Sequence, residues 1–190
     1  MLAGIDEAGR GPLAGPLVAA AVRLPADADL PGVDDSKKLS GATRERLLGE
    51  ILAVCESWGT GVVTPEEIDD GGMSLAVRTA FSRAAAAAGP GIHLFLVDGL
   101  PVAGFGPAFR FQVRGDAASL CVAAASIVAK VTRDRIMIRA ESEHPGYGFA
   151  SNKGYGTPDH LEALARLGPS SIHRMSFAPL REERQWRLFP

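Results

Sequence analysis

Residues 2–24, LAGIDEAGRGPLAGPLVAAAVRL, contain two apolar segments joined by a turn rich in glycine and proline. The segments 2–6 and 17–24 predict two β-strands, and the short connection between them favours antiparallel pairing. Asp6 and Glu7 stand at the end of the first segment. Because successive side chains of a regular strand point to opposite faces, two adjacent acids can serve one site only where the strand ends or twists. The glycines just beyond them permit such an ending.

The remainder of the chain predicts a mixed α/β fold with more strands early and more helices late. Residues 64–67, TPEE, have the N-cap, the proline and the acidic first turn of a helix start, and residues 157–168 form a second well-marked helix between Thr157-Pro158 and Gly168. The further predicted strands are 59–64, 93–99 and 109–116, and the further predicted helices are 73–88 and 117–143, the latter with Leu120, Ile127, Val131 and Ile138 near one face.

Length and composition fit one compact domain spanning residues 1–190, with a short helical C-terminal segment from about residue 157. The chain has 190 residues, and 46% of them are hydrophobic, which is enough to build a substantial core. The formal net charge is −2, so binding to nucleic acid needs a local basic face rather than bulk charge. The longest apolar run, 121–129, is far shorter than the roughly 20 residues of a membrane helix. We therefore expect no membrane segment and a monomer.

Cysteine and histidine usage points to a reducing compartment and gives no pattern of a structural zinc site. The two cysteines, Cys55 and Cys121, lie in helix-like stretches, which suits buried free thiols better than a disulfide framework. We therefore expect a cytoplasmic protein. The histidines have neither cysteine partners nor the spacing of zinc ligands, and they are His93, His144, His160 and His173.

Two further acids stand at predicted strand ends. Asp98 follows the apolar run LFLV, and Asp116 follows another predicted strand and precedes a helix. If the strand of Asp98 pairs beside the first strand, Asp6 and Asp98 meet at one edge of the sheet. Clustered ionised carboxylates repel one another, and either raised pKa values or bound hard divalent cations relieve that repulsion.

Each of these acids also has a purely structural interpretation. Asp116 is placed to be the N-cap of the helix beginning near residue 117, and Asp98-Gly99 can be a simple turn. Asp134 comes four residues after Lys130 and forms either a surface ion pair or an inward-pointing supporting group. The functional interpretation rests on the combination of the acids rather than on any one of them.

The turn itself, GRGPLAG at residues 9–15, is suited to a phosphate-containing ligand. Pro12 and the strand-like residues that follow do not make the helix opening of a dinucleotide-binding loop, and the chain has no Gly-Lys-Ser/Thr phosphate loop. Gly9 and Gly11 permit exposed backbone to approach a ligand, and Arg10 offers a forked cation for phosphate. A tight hairpin with a solvated arginine explains the glycines but not the neighbouring acids. Adjacent acids and a cation that can bind phosphate together suggest phosphodiester chemistry.

A series of motifs closely resembles the ribonuclease HII family, the type 2 ribonucleases H, over nearly the whole chain. The matching pieces, in family order, are GIDEAGRGPLAGP, DDSKKLS, VDG, RGD, AAASIVAKVTRDRIM, YGFASNKGYGTPDH and HRMSFAPL. Leu100 is a small departure, since a polar residue often follows VDG. The resemblance implies an α/β, RNase H-like fold with a five-stranded mixed sheet flanked by helices and a small helical C-terminal part.

The resemblance also implies an active site and a reaction. Asp6, Glu7, Asp98 and Asp116 match the four acidic positions that bind two Mg²⁺ or Mn²⁺ ions. One metal is implied to generate the attacking hydroxide, and the other to stabilise the departing 3′ oxygen. The implied reaction is hydrolysis of the phosphodiester 5′ to a ribonucleotide, in RNA–DNA hybrids and at single ribonucleotides in duplex DNA. The products carry 3′-hydroxyl and 5′-phosphate ends.

By the same resemblance, Gly9-Arg10-Gly11 detects the ribose 2′-hydroxyl, the group that distinguishes RNA from DNA. Tyr155 resembles its partner, which packs on the adjacent deoxyribose at an RNA-to-DNA junction. Each candidate phosphate-contacting lysine can also be a solvated surface residue. The candidate phosphate contacts are Lys37, Lys38, Ser126, Lys130 and Lys153.

The sequence QWRLF, Gln185 to Phe189, resembles the short peptide by which bacterial proteins dock on the replication sliding clamp. Alternatively, Trp186 and Phe189 pack on this domain. Two other functions compete with a ribonuclease H: a junction-cleaving nuclease on the same fold, and a nucleic-acid-binding module that has lost catalysis. The turn and Tyr155 argue against the first, and four retained acids argue against the second, because bare carboxylates repel phosphate.

Overall fold

The computed structural model describes residues 1–98, 104–106, 108–112 and 119–181. Within these residues the centre of the fold is a five-stranded mixed sheet in the order β3-β2-β1-β4-β5. The β1–β2 and β2–β3 pairs are antiparallel, and the β1–β4 and β4–β5 pairs are parallel. The predicted antiparallel pairing of the first two strands is confirmed. The strands are β1 (Leu2–Ala8), β2 (Leu17–Arg23), β3 (Ser57–Val63), β4 (Leu94–Asp98) and β5 (Phe109–Gln112).

The helices begin largely where the sequence places their N-caps. Thr64 and Glu67 form both hydrogen bonds of a capping box at the start of α2, and Thr157 caps α5, which ends at Gly168. The helix predicted from residue 117 instead begins at Leu120, with Ser119 as its N-cap. The helices are α1 (Gly41–Val54), α2 (Pro65–Ala87, with a kink at Gly72), α3 (Leu120–Glu143), α4 (Phe149–Asn152) and α5 (Pro158–Leu167), and a 3₁₀ turn spans Ser36–Lys38.

Helices cover both faces of the sheet at very short range. A Cβ atom on Gly4 of β1 would lie 2.2 Å from the backbone nitrogen of Val122 in α3, and one on Gly61 of β3 would lie 2.0 Å from the Ala80 carbonyl oxygen in α2. Only glycine therefore allows these helices to approach so closely. One core lies between α2 and the sheet, and a second lies between the sheet, α1 and α3.

The end of α3 extends past the sheet and builds a third cluster with the C-terminal elements. Met137 is fully buried there beside Phe149 of α4 and Leu164 of α5. Ile138, predicted on the apolar face, is instead 51% exposed, because this end of α3 packs against α4 and α5 through Met137 and Ala140. No helix among the described residues is both long and apolar enough to cross a membrane.

Candidate active site

The sheet register brings two acids to the same edge. Ile5 of β1 pairs with Val97 of β4 in the parallel ladder. The next residue on each strand is an acid, Asp6 on β1 and Asp98 on β4, so both carboxylates emerge at the carboxyl end of adjacent parallel strands. The condition on which Asp6 and Asp98 were expected to meet, pairing of their strands, is therefore fulfilled.

These acids open into a cleft of about 340 Å³. Glu7 shares the cleft with Asp6 although the two are adjacent on β1, which ends one residue later at Ala8. Most of the predicted site residues lie around this one cleft. Its walls consist of Asp6, Glu7, Ala8, Gly9, Arg10, Gly11, Ser36, Lys37, Asp98, Lys130 and Tyr155.

Burial and the repulsion of neighbouring acids make the carboxyl groups of Asp6 and Glu7 hard to ionise. Burial raises the pKa of Asp6 well above its ordinary value, and the charges of Glu7 and Asp98 raise it further. Burial likewise raises the pKa of Glu7, against the opposing effect of Arg10, whose Nη1 donates to Glu7 Oε1 over 3.1 Å. Lys37 lowers both pKa values. The cleft therefore concentrates negative charge that its own cations offset only in part.

This donor set fits a hard divalent cation. All three acids offer carboxylate oxygen, the ligand that Mg²⁺ and Mn²⁺ prefer, and a cation among them would relieve the repulsion that helps to raise the pKa values of Asp6 and Glu7. The residues described by the structure contain no cluster of three His, Cys, Asp or Glu side chains close enough to hold a metal unaided. The fourth predicted acid, Asp116, lies outside those residues. The N-cap of α3 is Ser119.

The turn after β1 is tightly packed on one side and open on the other. Gly9 has a φ of +102°, and a Cβ there would lie 2.2 Å from Nε of Arg133. Gly11 has no heavy atom within 4 Å of where a Cβ would be, and it faces the cleft. The fold therefore requires glycine at position 9, whereas at position 11 the missing side chain leaves backbone accessible from the cleft.

Two buried arginines, Arg133 and Arg174, fix the backbone of the turn by hydrogen bonds, and the sequence analysis assigned them no role. Arg174 donates to the carbonyl oxygens of Gly9 (2.7 Å), Arg10 (3.1 Å) and Gly15 (2.7 Å). Arg133 donates to Pro16 O over 3.0 Å and to Ala14 O over 3.1 Å. Of the two, only Arg133 could have been noticed in the sequence. It lies on the buried face of α3 and has no acid three or four residues away with which to form an ion pair.

The second wall of the cleft carries Tyr155, whose side chain is 44% exposed. The cations of Lys130 and Arg133 lie 5.9 Å and 5.8 Å from the centre of its ring. The loop of Tyr155 is bonded directly to the glycine turn, because Leu13 N–H donates to Gly154 O over 2.8 Å. The two walls are therefore parts of one hydrogen-bonded unit.

The candidate phosphate-contacting lysines separate into two that line the cleft and two that do not. Lys37 and Lys130 line the cleft, and Lys130 also donates to Asp134 over 2.7 Å. Lys38 pairs with Asp34 over 3.0 Å, and Lys153 donates to the Ala150 carbonyl.

Ser126 does not match its prediction as a phosphate contact. It is only 3% exposed, and its hydroxyl accepts the Ser36 N–H over 3.2 Å. It holds the 3₁₀ turn of Lys37 against α3 instead, because its position on α3 faces the core. Asp134 combines its two alternatives, since it pairs with Lys130 on its own helix and with Arg44 of α1 at 3.5 Å. The predicted clamp peptide, Gln185 to Phe189, lies outside the described residues.

A five-stranded mixed sheet in this order, with acids at the carboxyl ends of its two adjacent parallel strands, defines an enzyme of the RNase H-like class. A family model described as Ribonuclease HII matches residues 3–180. The chain belongs to the ribonuclease HII family, whose members are endonucleases that hydrolyse RNA in RNA–DNA hybrids.

Individual relatives agree with this assignment. The chain is 52% identical over 181 residues to ribonuclease HII of Geobacillus thermodenitrificans, covering 95% of this chain and 70% of the relative. It is 52% identical over 189 residues to ribonuclease HII of Rhizorhabdus wittichii, covering 100% and 92%.

Two solved structures share the fold. Ribonuclease H2 from Pyrococcus horikoshii superposes with a TM-score of 0.71 at 26% identity and 98% coverage of both chains. Ribonuclease HII in the PCNA:RNase HII complex from Archaeoglobus fulgidus superposes with a TM-score of 0.75 at 30% identity, covering 93% of this chain and 95% of that one. The predicted RNase H-like fold class is confirmed.

Proposed function

We propose that this enzyme hydrolyses the phosphodiester on the 5′ side of a ribonucleotide, both within RNA–DNA hybrids and at single ribonucleotides in duplex DNA. The products are a 3′-hydroxyl and a 5′-phosphate. The observation that carries the proposal is the composition of one cleft, in which the carboxylates of Asp6 and Asp98 face the open backbone at Gly11 and the exposed ring of Tyr155. Groups for chemistry and groups for recognising sugar therefore share a single space.

The acids form the chemical half of the cleft. Asp6, Glu7 and Asp98 would hold two Mg²⁺ or Mn²⁺ ions together with Asp116. When bound, such ions activate the attacking water and stabilise charge on the departing 3′ oxygen. The chain's own contribution is to present ionised carboxylates from the ends of β1 and β4, two elements fixed by the sheet.

The turn and Tyr155 form the recognition half. The backbone at Gly11 is exposed and accepts close approach of a sugar, so a ribose 2′-hydroxyl can hydrogen-bond there. The Tyr155 ring packs on the following deoxyribose, because an aromatic face in an open cleft suits the apolar side of a sugar. Arg10, 54% exposed, exchanges its ion pair with Glu7 for a phosphate oxygen, and Lys37 and Lys130 add positive charge beside it.

The proposed acting unit is one domain of residues 1–190, working as a monomer and docking on the replication sliding clamp through Gln185 to Phe189. Support for the clamp comes from the QWRLF sequence and from the A. fulgidus relative, which was solved with PCNA. Replacing Phe189 by alanine should abolish clamp binding in a calorimetric titration and leave cleavage of a short duplex unchanged. Equal clamp binding by this variant would refute the docking role.

The decisive experiment uses an end-labelled DNA duplex that contains one ribonucleotide, incubated with the enzyme and Mg²⁺, Mn²⁺ or a chelator. We expect metal-dependent cutting immediately 5′ of the ribonucleotide, with products that a ligase rejoins directly because they carry 3′-hydroxyl and 5′-phosphate ends. An all-DNA duplex is the control and should stay intact. Cutting of both duplexes would indicate a nuclease of another specificity.

A further inference from the structure

A chain of hydrogen bonds through two buried histidines leads to the backbone of Tyr155. The Ser170 N–H lies 2.9 Å from His173 Nδ1, and because an amide can only donate, this ring nitrogen carries no proton. The proton of His173 is therefore on Nε2, which lies 3.1 Å from His160 Nε2. His160 must accept there, so its own proton is on Nδ1, which donates to the Tyr155 carbonyl over 2.8 Å. The direction of every bond follows from the first.

The surroundings keep the His173 ring neutral. His160 and His173 are 0% and 2% exposed, and the rings of Tyr147 and Phe149 pack against them. Burial lowers the pKa of His173 to about 4, and the neighbouring His160 and His144 lower it in the same direction. A second proton on His173 Nδ1 would also oppose the Ser170 amide.

Arg174, the residue after His173, contacts the other wall of the cleft, the glycine turn. Within the described residues no carboxylate accepts a hydrogen bond from Arg174, whose guanidinium instead donates to three carbonyl oxygens of residues 9–15. Its own N–H donates to Leu13 O over 2.8 Å. The centre of the Phe177 ring also lies 5.2 Å from the guanidinium carbon. A buried cation without a hydrogen-bonded carboxylate is a weak source of stability, and its benefit is a fixed geometry of the turn.

The segment that carries both residues is fixed to the body of the fold. The carboxylate of Asp69 in α2 accepts the Met175 N–H over 2.7 Å, the Ser176 N–H over 3.0 Å and the Ser176 hydroxyl over 2.6 Å. We call residues 170–176 the anchoring segment. It is bound directly to the glycine turn and to α2, and through His160 to Tyr155.

We infer that His173 and Arg174 are positioning residues that set the distance between the Tyr155 wall and the Gly9–Gly11 wall of the cleft, and thereby the selectivity for a ribonucleotide followed by a deoxyribonucleotide. The inference rests on the proposed function of these two walls. Neither side chain needs to touch the substrate. Selectivity follows because a substrate with one ribonucleotide engages both walls, whereas the interior of a long RNA strand offers Tyr155 no deoxyribose.

The test compares His173→Leu with His173→Gln on two substrates, a duplex with one ribonucleotide and a fully ribonucleotide strand on DNA. Leucine removes the donor to His160, and glutamine places an amide donor where Nε2 stood. We expect His173→Leu to lose about tenfold or more in kcat/KM on the single-ribonucleotide duplex and much less on the hybrid. His173→Gln should recover most of the loss. A folded His173→Leu enzyme with an unchanged ratio of the two kcat/KM values would overturn the inference.

Tyr147→Phe is the matched control, because it removes a hydrogen bond to Gly168 O (2.7 Å) in the same buried cluster but keeps the ring that packs against the histidines. It should lower thermal stability and leave the substrate ratio unchanged; an equal shift in the ratio would reduce the histidines to a general packing role. If the wild type fails to prefer ribonucleotide-containing duplexes over DNA, the proposed function fails instead, whatever the variants do.

A second measurement does not depend on any variant folding. Imidazole ¹⁵N chemical shifts of the wild type near neutral pH should show His173 protonated on Nε2 and His160 protonated on Nδ1, both neutral. Either ring in its other tautomer, or charged, would overturn the inference.

Discussion

Replacing Gly9 and Gly11 of the turn one at a time should separate an effect on stability from an effect on substrate recognition. In Gly9→Ala, the new methyl group meets Nε of Arg133 at 2.2 Å and the Pro16 carbonyl oxygen at 2.8 Å, and the residue must keep a φ of +102°. The left-handed backbone costs about 1–2 kcal/mol, and crowding in a packed interior adds roughly 1–3 kcal/mol. We therefore expect Gly9→Ala to lower the free energy of unfolding by about 2–5 kcal/mol.

Gly11→Ala should impair substrate recognition without lowering stability. Nothing lies within 4 Å of its new methyl group. The alanine should therefore leave stability unchanged or raise it by up to about 1 kcal/mol, by restricting the unfolded chain. The methyl group nevertheless projects where the 2′-hydroxyl must approach the backbone, so kcat/KM on a single-ribonucleotide duplex should fall by about 100-fold, as for a displaced substrate.

Urea unfolding and steady-state cleavage of the single-ribonucleotide duplex measure the two effects. Gly49→Ala is the control, because Gly49 lies within α1 and also has no neighbour within 4 Å. It should stabilise the protein by about 0.5–1 kcal/mol and cleave normally. Wild-type cleavage by a stable Gly11→Ala enzyme would refute the idea that substrate reaches this backbone, and wild-type stability of Gly9→Ala would refute the packing argument.

Asp6→Asn should abolish cleavage yet raise the unfolding free energy of the metal-free enzyme, because it removes a charge that burial and Glu7 disfavour; lower stability in urea would contradict this. Because the pKa values of Asp6 and Glu7 are raised in the folded state, the folded wild type binds protons more tightly than the unfolded chain. The stability of the metal-free enzyme should therefore rise as pH falls through these raised pKa values, whereas cleavage should decline. Unfolding and cleavage measured over the same pH series check both trends. Thr64→Ala should break the capping box of α2, costing about 1 kcal/mol in urea unfolding without altering kcat.

The features that could be predicted from sequence are those set by neighbouring residues. Thr64 and Thr157 are each followed by a proline and an acid within one turn, a pattern that predicts a helix start, and both cap their helices in the structure. The paired strands followed from apolar runs and a short turn. Asp6 and Asp98 followed from their places at strand ends, where a buried run emerges at the edge of the sheet.

The features that sequence could not supply depend on contacts between distant segments. Ser126 was predicted as a phosphate contact in the long helix, and only the packing of α3 showed that its position faces the core. Arg174 binds Gly15 across 159 residues of chain, and no local pattern marks such a pairing. The tautomers of His160 and His173 likewise depend on a contact that local spacing does not encode.

The bond between Arg174 and Gly15 also has a consequence for the order in which the enzyme matures. Asp6, Glu7 and Asp98 are all synthesised well before position 174, and closing a loop of 159 residues is among the last events that a growing chain can complete. A chain still emerging from the ribosome therefore possesses its acids before it possesses a fixed turn. The glycine turn therefore takes its final form only after the segment of Arg174 has been made and has folded onto it.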